Sequence, residues 1–172
     1  MNTEDRRVRK TKKALQDGLA ELMLEKELRN ITVRELTDRV DIHRATFYAH
    51  YSDVYDLYEQ METAALEELS AILVPAHTYD GVCQIIVDYV HSNPKLSQLL
   101  LGKSRLSAFL EEKYAEIILF ETGETQLSEE WRYFTAYHMQ GCMAIIRRWA
   151  QTGFAYPKEN VIAIIEKLDA NF

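Results

Sequence analysis

The stretch Thr32-Val-Arg-Glu-Leu-Thr-Asp-Arg-Val-Asp-Ile-His-Arg-Ala-Thr-Phe-Tyr-Ala-His-Tyr-Ser-Asp-Val-Tyr-Asp-Leu57 decides the fold of this 172-residue chain. Its apolar spacing predicts a short helix over about residues 33–39, a tight turn at 41–42 and a second short helix over about 43–51. Two short helices joined in this way form a helix-turn-helix, whose second helix can enter the major groove of DNA.

The second short helix has one side for the core and another side left over. Phe47 and Tyr51 are four residues apart, so we expect both to point inward. Arg44, near the start of the helix, can donate two hydrogen bonds to guanine, and the hydroxyls of Thr46 and Tyr48 suit phosphate oxygens or a base edge. The residues that we predict to contact double-stranded DNA are Lys10, Arg34, His43, Arg44, Ala45, Thr46, Tyr48, Ala49 and His50.

Charge is unevenly distributed along the chain. The formal net charge is −7, yet residues 1–52 hold 11 Lys/Arg against 9 Asp/Glu, a net of +2, and residues 53–172 hold 9 against 18, a net of −9. DNA binding requires a local basic patch rather than a basic whole. Lys10, Lys12 and Lys13 can add nonspecific attraction through counterion release. The acidic total therefore does not exclude DNA.

Capping residues mark several helix ends. Thr32 and Glu35 have the spacing of a capping box, in which the Glu side chain reaches back to the N-cap amide. Ser52 is predicted to cap the fourth helix, with Asp53 in its first turn. Ser128 is predicted to open the eighth helix.

The sequence predicts an all-α fold of about nine helices. Helical spacing runs from end to end, and no strand alternation is visible. Pro94 stands at the first position of a sixth helix that reaches Gly102, and Gly153 ends the eighth. We expect a three-helix helix-turn-helix domain over residues 1–53, and over residues 54–172 a helical bundle that dimerises and can bind an effector.

Cellular location and bound groups are predicted mainly from what the sequence does not contain. The N-terminus is charged rather than apolar, and no apolar run approaches about 18 residues. Cys83 and Cys142 make no disulfide framework or zinc signature. We therefore expect a cytoplasmic protein with no membrane partner, no cofactor and no metal.

The eighth predicted helix is apolar on nearly every side. Such a helix must be covered on most sides, and a second copy of the chain could provide the cover. Gly141 would permit two helices to approach closely. The residues predicted for the dimer interface are Tyr137, Gly141, Ala144, Arg148, Ile164 and Leu168.

The C-terminal part also contains aromatic side chains with a few polar tips. This composition fits a pocket for a small-molecule effector, and it fits an ordinary helical core equally well. The candidate pocket residues are Tyr89, Phe109, Phe134, His138 and Cys142.

Three other functions remain as alternatives. His138 and Cys142, four residues apart, could bind a metal with His77, Cys83 or His91, or they could be a core histidine beside a buried thiol. An enzyme is not predicted, because the sequence has no nucleophile elbow, phosphate loop or His-Glu-x-x-His motif. A protein-interaction module would explain the acidic surface, but it would not explain the segment 44–50.

The quoted stretch resembles the DNA-binding domain of TetR-family bacterial transcriptional regulators, most specifically through the segment Thr46-Phe-Tyr-Ala-His-Tyr51. Residues 141–153, followed by Pro157, are similar to the Firmicutes-type C-terminal domain of that family. The resemblance implies an all-helical homodimer, usually a repressor, often released by a small ligand. Two helix-turn-helix domains on a twofold axis imply a palindromic operator. The residues that the resemblance implies at the DNA face are Arg34, Arg44, Thr46, Tyr48 and His50.

The chain departs from the family pattern at three positions. Asp41 replaces the turn glycine, so the turn must tolerate a side chain and an additional anion near DNA. His43 replaces the usual Ser or Thr cap of the second short helix. Val54 replaces a basic residue and removes one expected phosphate contact.

Overall fold

Eight α-helices are formed by the residues that the computed structural model describes, which are 3–73, 79–94, 97, 101 and 104–169. They are α1 (Thr3–Glu25), α2 (Val33–Arg39), α3 (Arg44–Tyr48), α4 (Val54–Leu73), α5 (Tyr79–Ser92), α6 (Ser104–Thr122), α7 (Glu129–Gln151) and α8 (Lys158–Asp169). No strand occurs in these ranges, so the all-α prediction is confirmed. The helix predicted from Pro94 to Gly102 lies largely outside the described residues.

The chain divides into two compact units, Met1–Ala65 and Leu66–Phe172. The division falls within α4, the longest helix of the N-terminal half after α1. The functional domains predicted from the sequence, 1–53 and 54–172, stay a prediction. Within the described residues, no helix is both long enough and apolar enough to cross a bilayer.

The first unit is built around the helix-turn-helix. Helix α1 packs on α2, and α2 packs on α3. Leu15, Leu19 and Leu22 form the fully buried stripe of α1, and Leu36 of α2 and Phe47 of α3 are fully buried as well. Burying each such side chain stabilises the fold by about 1.5–3 kcal/mol. This core therefore fixes the orientation of α3.

Gly18 marks a close approach to the end of α2. A Cβ placed on Gly18 would lie 2.3 Å from Cγ1 of Val40 and 3.2 Å from Cδ1 of Leu36. Carbon atoms in contact normally lie about 3.5–4.0 Å apart. The absence of a side chain at this position is therefore what lets the two helices meet.

The capping box at α2 is only half formed. The Oγ1 of Thr32 accepts a hydrogen bond from the Glu35 amide at 3.2 Å, as predicted. The Glu35 carboxylate, however, accepts from the Lys26 ammonium and does not reach back to the N-cap amide. The Lys26 ammonium carries a full opposite charge, which a backbone amide does not, so the cation near the end of α1 holds this carboxylate.

Asp53, rather than Ser52, caps α4. The Asp53 Oδ1 accepts a hydrogen bond from the Asp56 amide at 2.8 Å. Ser52 instead donates to Asp56 Oδ2, from its amide at 2.8 Å and from its hydroxyl at 3.1 Å. The Ser52 amide is the main reason that the pKa of Asp56 is lowered, and a side-chain hydrogen bond from Gln60 lowers that pKa further. The predicted cap was one residue early.

In the second unit, α5 packs on α7 and α8, and α7 packs on α6 and α8. Ser128 caps α7 as predicted, accepting from the Trp131 amide at 3.2 Å. Gly153 follows α7 with φ of 66°, so its predicted role at the helix end is confirmed. The indole nitrogen of Trp149 donates to the Tyr156 carbonyl at 2.6 Å, which closes the turn between α7 and α8.

Candidate functional site

The inner side of α3 is held by aromatic contacts. Phe47 is fully buried and Tyr51 is buried, so their predicted inward orientation is confirmed. The Phe47 ring lies 5.7 Å from that of Tyr51 and meets the Tyr48 ring edge-on at 5.5 Å. Such aromatic pairs add about 0.5–1.5 kcal/mol beyond the buried area. The buried pair leaves the opposite side of α3 facing outward.

The outward side of α3 has the composition predicted for contact with DNA. Arg44, Ala45, Tyr48 and Ala49 are exposed, and Tyr48 has 58% of its surface accessible. We call these four residues the α3 outer face. A guanidinium, a phenol hydroxyl and two methyl groups can meet a guanine edge, a phosphate and a thymine methyl. Thr46 and His50 are half-buried at its borders.

The turn of the helix-turn-helix contains a residue in the left-handed conformation. Asp41 has φ of 53° and is exposed. The left-handed region costs an ordinary residue about 1–2 kcal/mol, and Asp tolerates it better than most. The Ile42 amide donates to the Thr37 carbonyl at 3.0 Å and closes the turn. The turn therefore accommodates the predicted side chain at Asp41 by adopting a strained backbone conformation.

Thr37 is a buried polar residue that sequence reasoning missed. Its side chain is almost completely buried, and its hydroxyl donates to the carbonyl oxygens of Val33 at 2.8 Å and Arg34 at 3.0 Å. A threonine in a helix can satisfy its hydroxyl in this way against the preceding turn. The signal that could have found it is its position one residue after Leu36, on the side of α2 that faces the core.

His43 begins α3 without using its side chain. Its backbone carbonyl accepts from the amides of Thr46 at 2.9 Å and Phe47 at 3.2 Å. Its imidazole makes no capping hydrogen bond and is exposed. A Ser, Thr, Asp or Asn cap contributes about 1 kcal/mol more than a residue that cannot cap. Helix α3 therefore depends on Phe47 for its stability.

Basic residues outside α3 differ in how far neighbouring side chains engage their charged groups. Arg34 is exposed and lies 3.6 Å from Asp38, a surface pair that contributes little. Lys10 is exposed on α1. Lys12 lies 5.8 Å above the Tyr51 ring, so its ammonium is partly engaged in a cation–π contact. Lys10 and Arg34 keep the exposure that a phosphate contact requires.

Arg39 is neutralised by a partner from α1. Its guanidinium donates to both carboxylate oxygens of Glu25, at 3.0 and 3.1 Å. The hydrogen bond from Arg39 is the main reason that the pKa of Glu25 is lowered. A fork-to-fork pair of this kind fixes the geometry of both side chains. Arg39 therefore serves the packing of α1 and α2.

The residues predicted for the dimer interface lie on one exposed stripe of α7 and on α8. Tyr137 has 65% of its surface accessible, and Ile164 and Leu168 of α8 are exposed as well. The remaining three members, Gly141, Ala144 and Arg148, are also exposed in the single chain. A contiguous patch of exposed aromatic and aliphatic side chains marks an interaction surface. The assignment to a dimer stays a prediction.

A described cavity is lined by two of the five residues predicted for an effector pocket, and the pocket itself stays a prediction. A cavity of about 390 Å³ lies on the α7–α8 side. The described residues that line it are Tyr137, His138, Gln140, Gly141, Cys142, Ile145, Ile165 and Leu168. His138 and Cys142 therefore share this cavity with three residues predicted for the dimer interface. Tyr89 and Phe109 are not among those lining residues.

Of the other predicted pocket residues, Tyr89 and Phe109 lie on other helices, whereas Phe134 lies beside His138 on α7. Tyr89 is buried in α5, and its hydroxyl donates to Glu68 at 3.2 Å. Phe109 is half-buried in α6. The Phe134 ring is nearly parallel to that of His138, with centroids 5.9 Å apart. Of the metal-ligand candidates, His77 lies outside the described residues, and the described part of one chain holds no group of three or more His, Cys, Asp or Glu suited to a metal.

An all-helical chain whose helix-turn-helix turns α3 outward has the architecture of TetR-family transcriptional regulators, and the resemblance predicted from the sequence is confirmed at the level of the fold. The chain superposes with a TM-score of 0.63 on PfmR, a TetR-family regulator from Thermus thermophilus, at 16% identity and over 88% of this chain and 94% of that one. The fatty acid degradation regulator FadR from Bacillus halodurans gives 0.60 at 12% identity, over 91% and 93%. The dihydroxyacetone kinase operon activator DhaS gives 0.57 at 18% identity, over 92% and 93%.

Sequence similarity to a curated protein is confined to part of the chain. The chain is 36% identical over 66 residues to the uncharacterized HTH-type transcriptional regulator YxbF of Bacillus subtilis. This match spans 38% of the chain and 17% of the length of that relative. No family model matches the chain.

Proposed function

We propose that this chain is a homodimeric, TetR-like transcriptional regulator that lays α3 in the major groove of a palindromic operator. The observation that carries the proposal is the α3 outer face. A buried Phe47 fixes the helix while Arg44 and Tyr48 project away from the core. A solvated helix with no partner does not need an exposed tyrosine on the same face as two exposed alanines, Ala45 and Ala49. Lys10 and Arg34 supply phosphate contacts beside it.

Dimerisation is proposed through α7 and α8. Tyr137, Ala144 and Leu168 are exposed and apolar in character. Aromatic side chains are enriched in such interfaces, whose centres are depleted in charge. A twofold axis would pair this surface with itself and present two copies of α3 to half-sites about one or more DNA turns apart. Binding to chromosomal DNA would take place in the cytoplasm.

Repression is the proposed outcome of operator binding, with release by a small molecule. The cavity of about 390 Å³ on the α7–α8 side supports a ligand that acts on the dimer. DhaS, one of the solved structures with this fold, is named an operon activator. A reporter gene behind the selected operator therefore has to show the sign of the effect.

Selection of bound sequences from a random DNA pool tests the proposal directly. We expect a palindromic motif, and we expect Arg44→Ala to cost about 1–3 kcal/mol and to relax base preference at one position of each half-site. Lys10→Ala is the matched control, because loss of a phosphate contact weakens all sequences alike and reduces the salt slope by about 1. An unenriched pool after selection with the wild-type protein would contradict DNA recognition.

The dimer is tested by a charge placed in the proposed interface. Ala144→Glu should give monomers in sedimentation and abolish operator binding, since a buried unpaired carboxylate is costly. Gln151→Glu adds the same charge to an exposed position at the end of α7 and should leave the dimer intact. A stable dimer of Ala144→Glu would place the interface elsewhere.

A further inference from the structure

His138 and Cys142 form a buried pair of metal-ligating side chains on adjacent turns of α7. The His138 Nε2 lies 3.5 Å from the Cys142 Sγ, and each residue is only 7% exposed. The rings of Tyr114 and Phe134 are nearly parallel to the imidazole, at 5.3 and 5.9 Å. The aromatic neighbours restrict the plane of the imidazole, so the pair is held in a defined geometry.

The spacing of this pair fits one edge of a tetrahedral zinc site. Zinc binds a histidine nitrogen at about 2.0–2.1 Å and a cysteine sulfur at about 2.3 Å, and tetrahedral angles then separate the two ligand atoms by about 3.5 Å. The observed distance has this value. The described part of one chain provides two such ligands here, whereas a structural zinc site needs four. The described part of one chain offers no third ligand at this position.

The second copy in the proposed dimer would supply the missing ligands. Both residues line the cavity that also includes Tyr137, Gly141 and Leu168, on the surface proposed to meet a second copy. Gly141 directly precedes Cys142 and lies three residues after His138, and a Cβ there would have no atom within 4 Å. Small residues allow two helix backbones to approach closely. A twofold axis near Gly141 would bring two imidazoles and two thiolates together.

We propose that a divalent metal of the zinc class binds across the dimer, with His138 and Cys142 of each copy as its four ligands. This inference rests on the proposed dimer, because the described residues of a single copy give only half of the ligand set. Each thiol gives up its proton on binding, so two protons leave for each metal bound. A two-sulfur, two-nitrogen ligand set selects zinc over magnesium or calcium, which prefer oxygen. The metal would tie the two copies together.

The test titrates the reduced, metal-free, full-length protein with Co²⁺ as a spectroscopic probe and with Zn²⁺. We expect one metal for two chains, a sulfur-to-cobalt charge-transfer band with tetrahedral d–d bands, and release of two protons for each metal. At free zinc of 100 times its dissociation constant, the dimer dissociation constant should fall about 100-fold. Cys142→Ser should remove the sulfur-to-cobalt charge-transfer band. His138→Gln should remove the tetrahedral pattern of the d–d bands.

Cys83→Ser is the matched control, because Cys83 is the other buried cysteine outside any disulfide and lies on α5. It should bind cobalt as the wild type does. One metal for each chain, unchanged binding by Cys142→Ser, or no charge-transfer band would each overturn the proposal; the last result would mean a thiol–imidazole hydrogen bond only. Circular dichroism checks the fold of each variant. The titration of the wild type tests the proposal even where a variant fails to fold.

Failure of this inference is separable from failure of the proposed function. Sedimentation and operator binding are measured first without metal. A metal-free dimer that binds DNA and ignores zinc overturns the metal site alone. A chain that stays monomeric with and without zinc overturns the proposed dimer and the shared site together.

Discussion

Gly18→Ala should destabilise the first unit, although alanine is the better helix former. In a helix interior, the change from glycine to alanine is worth about 1 kcal/mol in favour of the helix. Against this gain, the new Cβ would lie 2.3 Å from Val40 Cγ1. The atoms must separate by more than 1 Å, and valine has few side-chain conformations in which to escape. Overpacking of this kind costs about 1–3 kcal/mol.

Subtracting the helix gain of about 1 kcal/mol from the clash cost of about 1–3 kcal/mol leaves an expected net loss of up to about 2 kcal/mol. Urea unfolding, followed by circular dichroism at fixed protein concentration, measures this difference. Val40→Ala removes the clashing methyl. In that background, Gly18→Ala should become stabilising by up to about 0.5–1 kcal/mol, since the remaining close approach, 3.2 Å to Leu36 Cδ1, is to the end of a side chain that can shift by a few tenths of an ångström. Additive effects of Gly18→Ala and Val40→Ala, within about 0.5 kcal/mol, would refute the packing argument.

Three further changes test local features. Thr32→Ala removes the bond to the Glu35 amide and should cost about 1 kcal/mol in urea unfolding; an unchanged midpoint would show that the cap contributes nothing. Because the pKa of Asp56 is lowered in the folded chain, the stability that Asp56 adds is present above its unfolded pKa and is lost as pH falls through the folded pKa. The difference in unfolding free energy between the wild type and Asp56→Asn should therefore shrink in acid. A difference that does not change with pH would contradict this prediction. Burial is the main reason that the pKa of Tyr89 is raised, and the charge of Glu68 is the second. The wild type should therefore lose stability as pH rises past about 10, while Tyr89→Phe should lose less. Parallel stability curves of the two proteins at alkaline pH would contradict this prediction.

Local and periodic features were predictable from the sequence. The bounds of α2, the burial of Phe47 and Tyr51, and the cap at Ser128 all depend on neighbours within about four residues. Such contacts are set by helix geometry alone, so the spacing of residue types is sufficient. The composition of the α3 outer face followed from the same spacing, once the buried side was known.

Contacts between distant residues were not predictable in the same way. Glu35 bonds to Lys26, nine residues away, because the path of the chain between α1 and α2 brings the ammonium near. The cap of α4 depends on whether the backbone turns at Ser52 or at Asp53, and both residue types are good caps. The cavity shared by His138 and Leu168 depends on which side of α7 the helix α8 covers, which no single-helix pattern specifies.

The left-handed aspartate in the turn has a consequence for the strength of the DNA binding that we propose. Asp41→Gly would relieve the backbone and would remove a negative charge that stands close to the helix proposed to enter the groove. A single base change in an aspartate codon is enough to produce it. Under the proposed function, we therefore expect Asp41→Gly to bind the operator more tightly than the wild type and to dissociate from it more slowly.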